Sequence, residues 1–300
     1  MTSEEGWLAG SFEEHRTRLR AVAYRLLGSL DEADDALQEA WLRANRADVA
    51  RIENLGGWLT TIVARVALNM LRARKSRPEA IGVSLPDPVI SADAAAQPEE
   101  QALLADSVGL ALLVVLDSLG PAERLAFVLH DVFQLPFEEI APMIERTPAT
   151  ARQLASRARR KVQRGDGAPP ERDRSRQRAV VDAFFRASRG GDFDALLDIL
   201  HPDVVMRADF GPKHPQRSTV IRGAKAVIES ALAGAALPGS EVIPVIVNGS
   251  AGAVITIGGR PFAILGFVIS DGKVVEIDGI ADAPRVSKLA AAVLRSQTRS

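Results

Sequence analysis

Between Arg146 and Arg164 the chain carries seven Arg or Lys and no Asp or Glu. Such an imbalance is repulsive in isolation and is relieved by a polyanion. The chemistry it offers is ionic and hydrogen-bonding recognition rather than bond making. The sequence has no cysteine, so it has no thiol nucleophile, disulfide framework or Cys-ligated zinc. Its four histidines, His15, His130, His201 and His214, show no metal-ligand spacing.

The cations need an element that faces them one way. On a helical projection from Ala151, the residues Ala151, Leu154, Ala155, Ala158 and Val162 share one side, while Gln153, Ser156, Arg157, Arg160 and Arg164 fall opposite. Thr147 is placed to N-cap this helix, and Pro148 sits where a first-turn proline costs no hydrogen bond. The preceding stretch PFEEIAPMI is a compact apolar helix, bent or shortened by Pro142. Small back residues let the two helices cross closely and leave the first turns of the second free for a major groove. The pattern is a helix-turn-helix that binds DNA.

Two further charge clusters precede it. In LDEADDALQEAWLRAN, the residues Ala33, Leu37, Ala40, Trp41 and Ala44 form the buried side of a helix whose first half is crowded by Asp31, Glu32, Asp34, Asp35 and Glu39. Acids at a helix N-terminus suit its dipole, and a face that docks another protein is an equal account of the excess at Asp34, Asp35, Gln38 and Glu39. The next helix, WLTTIVARVALNMLRARKSR, carries Arg65, Arg72, Arg74, Lys75 and Arg77 without one acid. Two basic helical patches in separate segments suggest a protein that holds DNA at two points.

The whole chain, 300 residues with 47% apolar content and a formal net charge of −1, is long enough for two or three domains and is no generic polycation. No long apolar run or basic-then-apolar leader occurs, which leads us to expect a cytoplasmic protein with no membrane partner. Residues 79–101 lack periodicity and read as a linker between helical domains at 8–78 and 102–164. A second break at 165–175 precedes a third domain, 176–300. There two helices, a short strand and a helix lead into strand-like runs with Gly-rich turns, an α+β layout in which an antiparallel meander forms a curved sheet around a helix.

Three of these segments, DEADDALQEAWLRA, WLTTIVARVALNMLRARKSR and LPFEEIAPMIERTPATARQLASRARRKV, resemble regions 2.2, 2.3 to 2.4 and 4.2 of the extracytoplasmic-function (ECF) sigma factors of bacterial RNA polymerase. The rest resembles the subgroup with a C-terminal SnoaL-like, NTF2-like domain of conical shape. The resemblance implies that Asp34, Asp35, Gln38 and Glu39 face the clamp helices of the β′ subunit. It places Asn69, Arg72, Arg74, Lys75 and Arg77 near the −10 element, and Arg152, Gln153, Ser156, Arg157, Arg160 and Arg164 on the −35 element. The β flap would be a further polymerase contact. The loop from Ala47 to Gly57 would receive a base turned out of the −10 stack, although it offers no aromatic before Trp58.

The subgroup's WLPEP-like linker signature is represented by Ser84, Leu85, Pro86, Asp87 and Pro88, without the tryptophan. Its DGGGK-like signature is represented by Asp209, Phe210, Gly211, Pro212 and Lys213, with two glycines replaced. The resemblance implies a regulatory contact between the two signatures, in a form altered by these replacements. No catalytic residue, metal or cofactor is expected, and free chains are expected to be monomeric. The competing reading makes the third domain a ligand sensor, with an unknown small molecule in its cup, or a cyclase- or isomerase-like enzyme using Asp209, His201 or His214 as acid-base.

Overall fold

A computed structural model of the chain describes residues 3–47, 52–75, 83–92, 110–164 and 171–297. Two compact units emerge. Residues 3–47, 52–75 and 112–164 make one, and residues 83–92, 110–111 and 171–297 make the other. The two helical segments that the sequence separates into domains therefore lie in a single unit.

That unit opens with α1 (Ser3–Leu27), α2 (Leu30–Ala44) and α3 (Leu55–Lys75). Helix α1 stops where the sequence places a glycine: Gly28 has φ +78°, and its N–H reaches back to the Tyr24 carbonyl at 2.7 Å. Leu19, Val22, Leu26, Leu37, Leu59, Val63 and Leu68 are buried among the three helices. Then follow α4 (Leu110–Asp117), α5 (Pro121–Phe127), a π-helical turn at Val128–Val132, α6 (Phe137–Met143) and α7 (Pro148–Arg164). Pro142 lies in the last turn of α6, and the helix stops where Glu145, at φ +57°, turns the chain so that the Arg146 N–H returns to the Ala141 carbonyl at 3.0 Å. Ala151, Ala155 and Ala158 on α7 are completely buried.

The second unit contains α8 (Arg174–Gly190), α9 (Phe193–Ile199), β2 (Leu200–Asp209), β3 (Thr219–Arg222), α10 (Ala224–Ala235), β4 (Ser240–Val247), β5 (Ser250–Ile257), β6 (Arg260–Ser270), β7 (Lys273–Ile280) and α11 (Ala283–Gln297). Its sheet has the order β1-β4-β5-β6-β7-β2-β3. Strand β1 is Ile90–Ala92, from the segment that the sequence reads as linker. The expected α+β class holds, and so does the expected meander. Strands β4 to β7 are an antiparallel meander, but β2 runs parallel to β7, Met206 opposite Ile277. The reason is connectivity: after β2 the chain passes through β3, α10 and the meander before it returns to the same edge.

Strand alternation divides the sheet. One face presents Phe267, Ile269 and Ile277 to Val181 and Phe184 of α8, Leu196 of α9, and Val227 and Ile228 of α10. Phe184, Phe185 and Phe267 meet edge to face in that core, with ring centroids 5.4 to 5.8 Å apart. Helix α11 lies beyond the last strand-like run of the sequence. Its buried residues Val286, Ala290 and Val293 follow a helical spacing.

Candidate functional sites

Helix α7 begins as its sequence dictates: the Thr150 N–H donates to Thr147 Oγ1 at 3.2 Å, one turn before the first exposed cation. Arg152, Gln153, Ser156, Arg157 and Arg160 then line one open concavity on the face opposite the buried alanines. Arg164 lies in the last turn of the same helix. Other α7 cations have internal partners. Arg159 Nε donates to Asp131 Oδ1 at 2.8 Å, and Lys161 Nζ donates to Glu123 Oε2 at 2.9 Å. Desolvation pushes the Glu123 carboxyl up, but the Lys161 hydrogen bond and charge, with the Gly120 N–H, outweigh it and leave the group below its ordinary range. The sequence, which counts all seven cations alike, could not make this division.

On α3, Asn69, Arg72 and Lys75 are exposed. Arg74 is differently used. Its Nη2 donates to Asp117 Oδ1 at 2.6 Å and its Nη1 to the Leu27 carbonyl at 3.2 Å, with Glu32 at 3.7 Å. Arg65 Nη2 donates to the Pro142 carbonyl at 3.3 Å. Arg77, and residues 48–51 of the loop before α3, lie outside the described residues.

Asp117 has a second partner. Arg124, whose side chain is 1% exposed, donates Nη1 to Asp117 Oδ1 at 2.9 Å, and its Nε and Nη2 reach the Arg25 carbonyl at 3.4 Å. Burial pulls the Arg124 pKa down to about 10 against the attraction of Asp117, so the guanidinium is charged at neutral pH. Arg25 in turn lies 5.1 Å from the centre of the Phe133 ring. One carboxylate thus joins α3 to α5 through two arginines.

The acids of α2 also divide. Arg20 grips Asp34 with two parallel bonds, Nε to Oδ1 at 2.7 Å and Nη2 to Oδ2 at 2.9 Å. Glu39 pairs with Arg43 on the open surface at 2.8 Å. Asp35 and Gln38 are exposed between them.

The two altered signatures meet in the second unit, on a residue that the sequence reading passed over. Arg285, in the first turn of α11, donates Nη1 to Asp209 Oδ2 at 2.7 Å, Nη2 to the Leu85 carbonyl at 2.7 Å and Nε to Asp87 Oδ1 at 2.9 Å. The Leu85 N–H donates to the same Asp209 Oδ2 at 2.9 Å. Burial works against the Arg285 charge, but Asp87 and Asp209 more than offset it and raise its pKa. Leu85, Pro86 and Pro88 are buried. Farther along, the Val89 N–H donates to Asn248 Oδ1 at 2.6 Å, and Ile90 to Ala92 pair with Val245 to Val247.

Of the three residues between Asp209 and Lys213, one needs to be glycine. Gly211 has φ +77°, and a Cβ there would fall 2.1 Å from Asp282 Oδ2. Phe210 and Pro212 have no positive φ and need no glycine. Lys213 is exposed in the turn that follows. The acid-base candidates are not assembled: Asp209 is held by Arg285, His201 Nδ1 accepts the Asp203 N–H at 3.1 Å, and His214 is exposed. Among the described residues no group of three or more His, Cys, Asp or Glu could hold a metal ion, and no helix is long and apolar enough to cross a membrane.

A helix-turn-helix with an outward basic face, in one unit with a three-helix bundle that carries an acidic and a basic helix, is the arrangement of a sigma-70 type initiation factor. Comparison with known proteins agrees: residues 11–77 match the model of Sigma-70 region 2, and residues 109–162 match that of Sigma-70, region 4. The ECF RNA polymerase sigma factor SigJ of Mycobacterium tuberculosis is 37% identical over 290 residues, 90% of each chain. A probable ECF RNA polymerase sigma factor of the same organism, SigI, is 33% identical over 92% of this chain and 93% of its own. The crystal structure of Mycobacterium tuberculosis SigJ superposes with a TM-score of 0.72 at 33% identity, covering 92% of this chain and 97% of that one. The chain belongs to the ECF RNA polymerase sigma factors. It is accordingly an initiation factor that binds core RNA polymerase and promoter DNA, and not an enzyme.

Proposed function

We propose that this chain acts in the cytoplasm and loads onto the β′ clamp helices through Asp35, Gln38 and Glu39 of α2, with Asp34 set by Arg20. Asn69, Arg72 and Lys75 of α3 meet the −10 element. Arg152, Gln153, Ser156, Arg157 and Arg160 of α7 read the −35 element. The exposure and one-sided charge of this face, with Arg72, Gln153 and Arg157 open to solvent, support this division. The β flap is the further polymerase contact, and the free chain is monomeric.

The C-terminal domain modulates activity in cis, by holding the segment that connects α3 to α4. The carrying observation is the Arg285 clamp: with Leu85, Asp87 and Val89 fixed on the domain, the connector between the −10 and −35 readers is no longer free. The core phenylalanines that occupy the cup give no support to a ligand-sensing reading.

Run-off transcription with core polymerase, with and without the chain, tests the first part. Promoter-specific transcript is expected only with the chain. For the second part, Arg285→Ala in the full chain is expected to change transcript yield at matched concentration, whereas −35 binding persists. Equal yield from both proteins would remove the modulatory role and leave the initiation role standing.

A further inference from the structure

Arg152 is the first exposed cation of α7, and it does not stand alone. Its guanidinium carbon lies 5.2 Å from the centre of the Phe137 ring, at the start of α6. That ring is 8% exposed and stacks on the His130 imidazole, with centroids 3.9 Å apart and planes inclined by 28°. The phenyl ring thus contacts both the imidazole and the guanidinium. His130 Nδ1 lies 2.9 Å from the Leu135 carbonyl, which only accepts, so Nδ1 carries the proton and the ring orientation is fixed.

The local backbone builds this column. The π-helical turn at Val128–Val132 carries His130, and Gln134 at φ +61° then reverses the chain, so that the Leu135 N–H returns to the Leu129 carbonyl at 2.9 Å. An exposed arginine loses several freely rotating torsions when it reads a base. A guanidinium already laid against an aromatic face loses fewer.

We propose that Phe137, backed by His130, is a positioning residue for promoter recognition: it pre-orients Arg152 so that its guanidinium meets a base edge of the −35 element in a fixed geometry. The inference rests on the reading of α7 as the −35 helix. Phe137 and His130 touch no DNA themselves. They act on discrimination between bases, and not on the general attraction of the protein for the polyanion.

The test uses the full chain with core polymerase on a promoter library randomised across the −35 element, with base preference as the readout. Arg152→Ala is expected to lose preference at one position. Phe137→Leu is expected to relax preference at that same position by roughly two- to five-fold, the size of an exposed cation–π contact, with affinity for unrelated DNA unchanged. Phe137→Tyr, which keeps the ring, is expected to keep the preference, and the Phe137→Leu/Arg152→Ala double variant is expected to lose no more than Arg152→Ala. His130→Gln, a smaller change that removes the stack and keeps a donor for Leu135, is expected to relax the same position and covers the case in which Phe137→Leu melts early. Unchanged preference in folded Phe137→Leu and His130→Gln, beside a loss in Arg152→Ala, would overturn the positioning role alone. No loss in Arg152→Ala would overturn its role as a reader, and the positioning role with it.

Discussion

Arg285 and Asp209, 76 residues apart in sequence, share a 2.7 Å ion pair whose carboxylate is 3% exposed and also accepts the Leu85 N–H. The pair is the hub on which the segment around Leu85 is held, because the remaining guanidinium nitrogens serve that segment. Hydrogen bonds to charged groups contribute about 1.5 to 3 kcal/mol each. Arg285→Ala is therefore expected to speed amide exchange at Leu85 and Val89 by roughly tenfold or more, with little change at the core amides of β6. Exchange followed by mass spectrometry on the intact protein checks this, and an unaltered Leu85 would show that burial of Leu85, Pro86 and Pro88 is enough to hold the segment.

Arg72 and Arg74, two residues apart on one basic helix, should behave differently. Arg72→Ala is expected to leave stability unchanged and to reduce the slope of log affinity against log salt by about 0.9, the value of one phosphate contact. Arg74→Ala is expected to lower stability by about 1 kcal/mol, through lost bonds to Asp117 and the Leu27 carbonyl. Asp117→Ala should cost more, about 2 kcal/mol, since it removes the carboxylate partner of the buried Arg124. Urea titrations beside filter binding at several salt concentrations separate these effects.

Asp34 and Asp35 make a similar contrast. Asp35→Lys is expected to weaken capture of core polymerase without shifting the melting temperature. Asp34→Asn should cost less than about 1 kcal/mol of stability, because its pair with Arg20 is half open to solvent. Pull-down beside thermal melting distinguishes a docking acid from a bracing one.

The second unit holds a buried carboxylate whose titration should be visible in stability. Asp278 is 2% exposed. Burial drives its pKa up to about 6, against the attraction of Arg207, whose Nη1 donates to Asp278 at 3.0 Å and to Glu276 at 2.8 Å. Burial likewise disfavours the Arg207 charge, but the two carboxylates outweigh it and leave that guanidinium raised. The directions are compatible: one arginine divided between two acids gains from both, and neither acid has it alone. Between the ordinary aspartate range near pH 3.8 and about 6, the folded state holds more protons than the unfolded one. This group's contribution therefore falls as pH rises through that window, with a slope of at most about 1.4 kcal/mol per pH unit. Asp278→Asn is expected to flatten that slope and to be no less stable than the parent at pH 7. Melting temperatures measured from pH 4 to 8 would show it.

Legibility in the sequence followed period and charge. Helix α7 could be read down to its buried face because Ala151, Ala155 and Ala158 repeat at helical spacing behind cations, and local pattern sufficed. The partition of those cations was not legible, because Arg159 finds Asp131 and Arg74 finds Asp117 across 28 and 43 residues, where no local pattern reports. The segment around Leu85 shows no periodicity for a physical reason: Leu85 and Val89 are bound through main-chain amides and a main-chain carbonyl to another part of the chain, and such bonds leave little mark on side-chain type. Helix α11 was legible in principle through Val286, Ala290 and Val293, and Arg285 with it. The parallel placement of β2 beside β7 was not, since strand direction leaves no local trace.

Pairing β1 with β4 also imposes an order of events during synthesis. The Val89 N–H and its acceptor Asn248 are 159 residues apart, and all four helices from α4 to α7 are translated between them. At roughly 5 to 20 residues per second, on the order of ten seconds or more separates the emergence of β1 from that of its partner strand. From the completion of α7 to the end of that interval a nascent chain carries both promoter-reading segments while the stretch from Leu85 to Ala92 has nowhere to dock. The C-terminal domain, translated last, is completed by a strand made long before it, so the protein's parts mature in a different order from the one in which they are encoded.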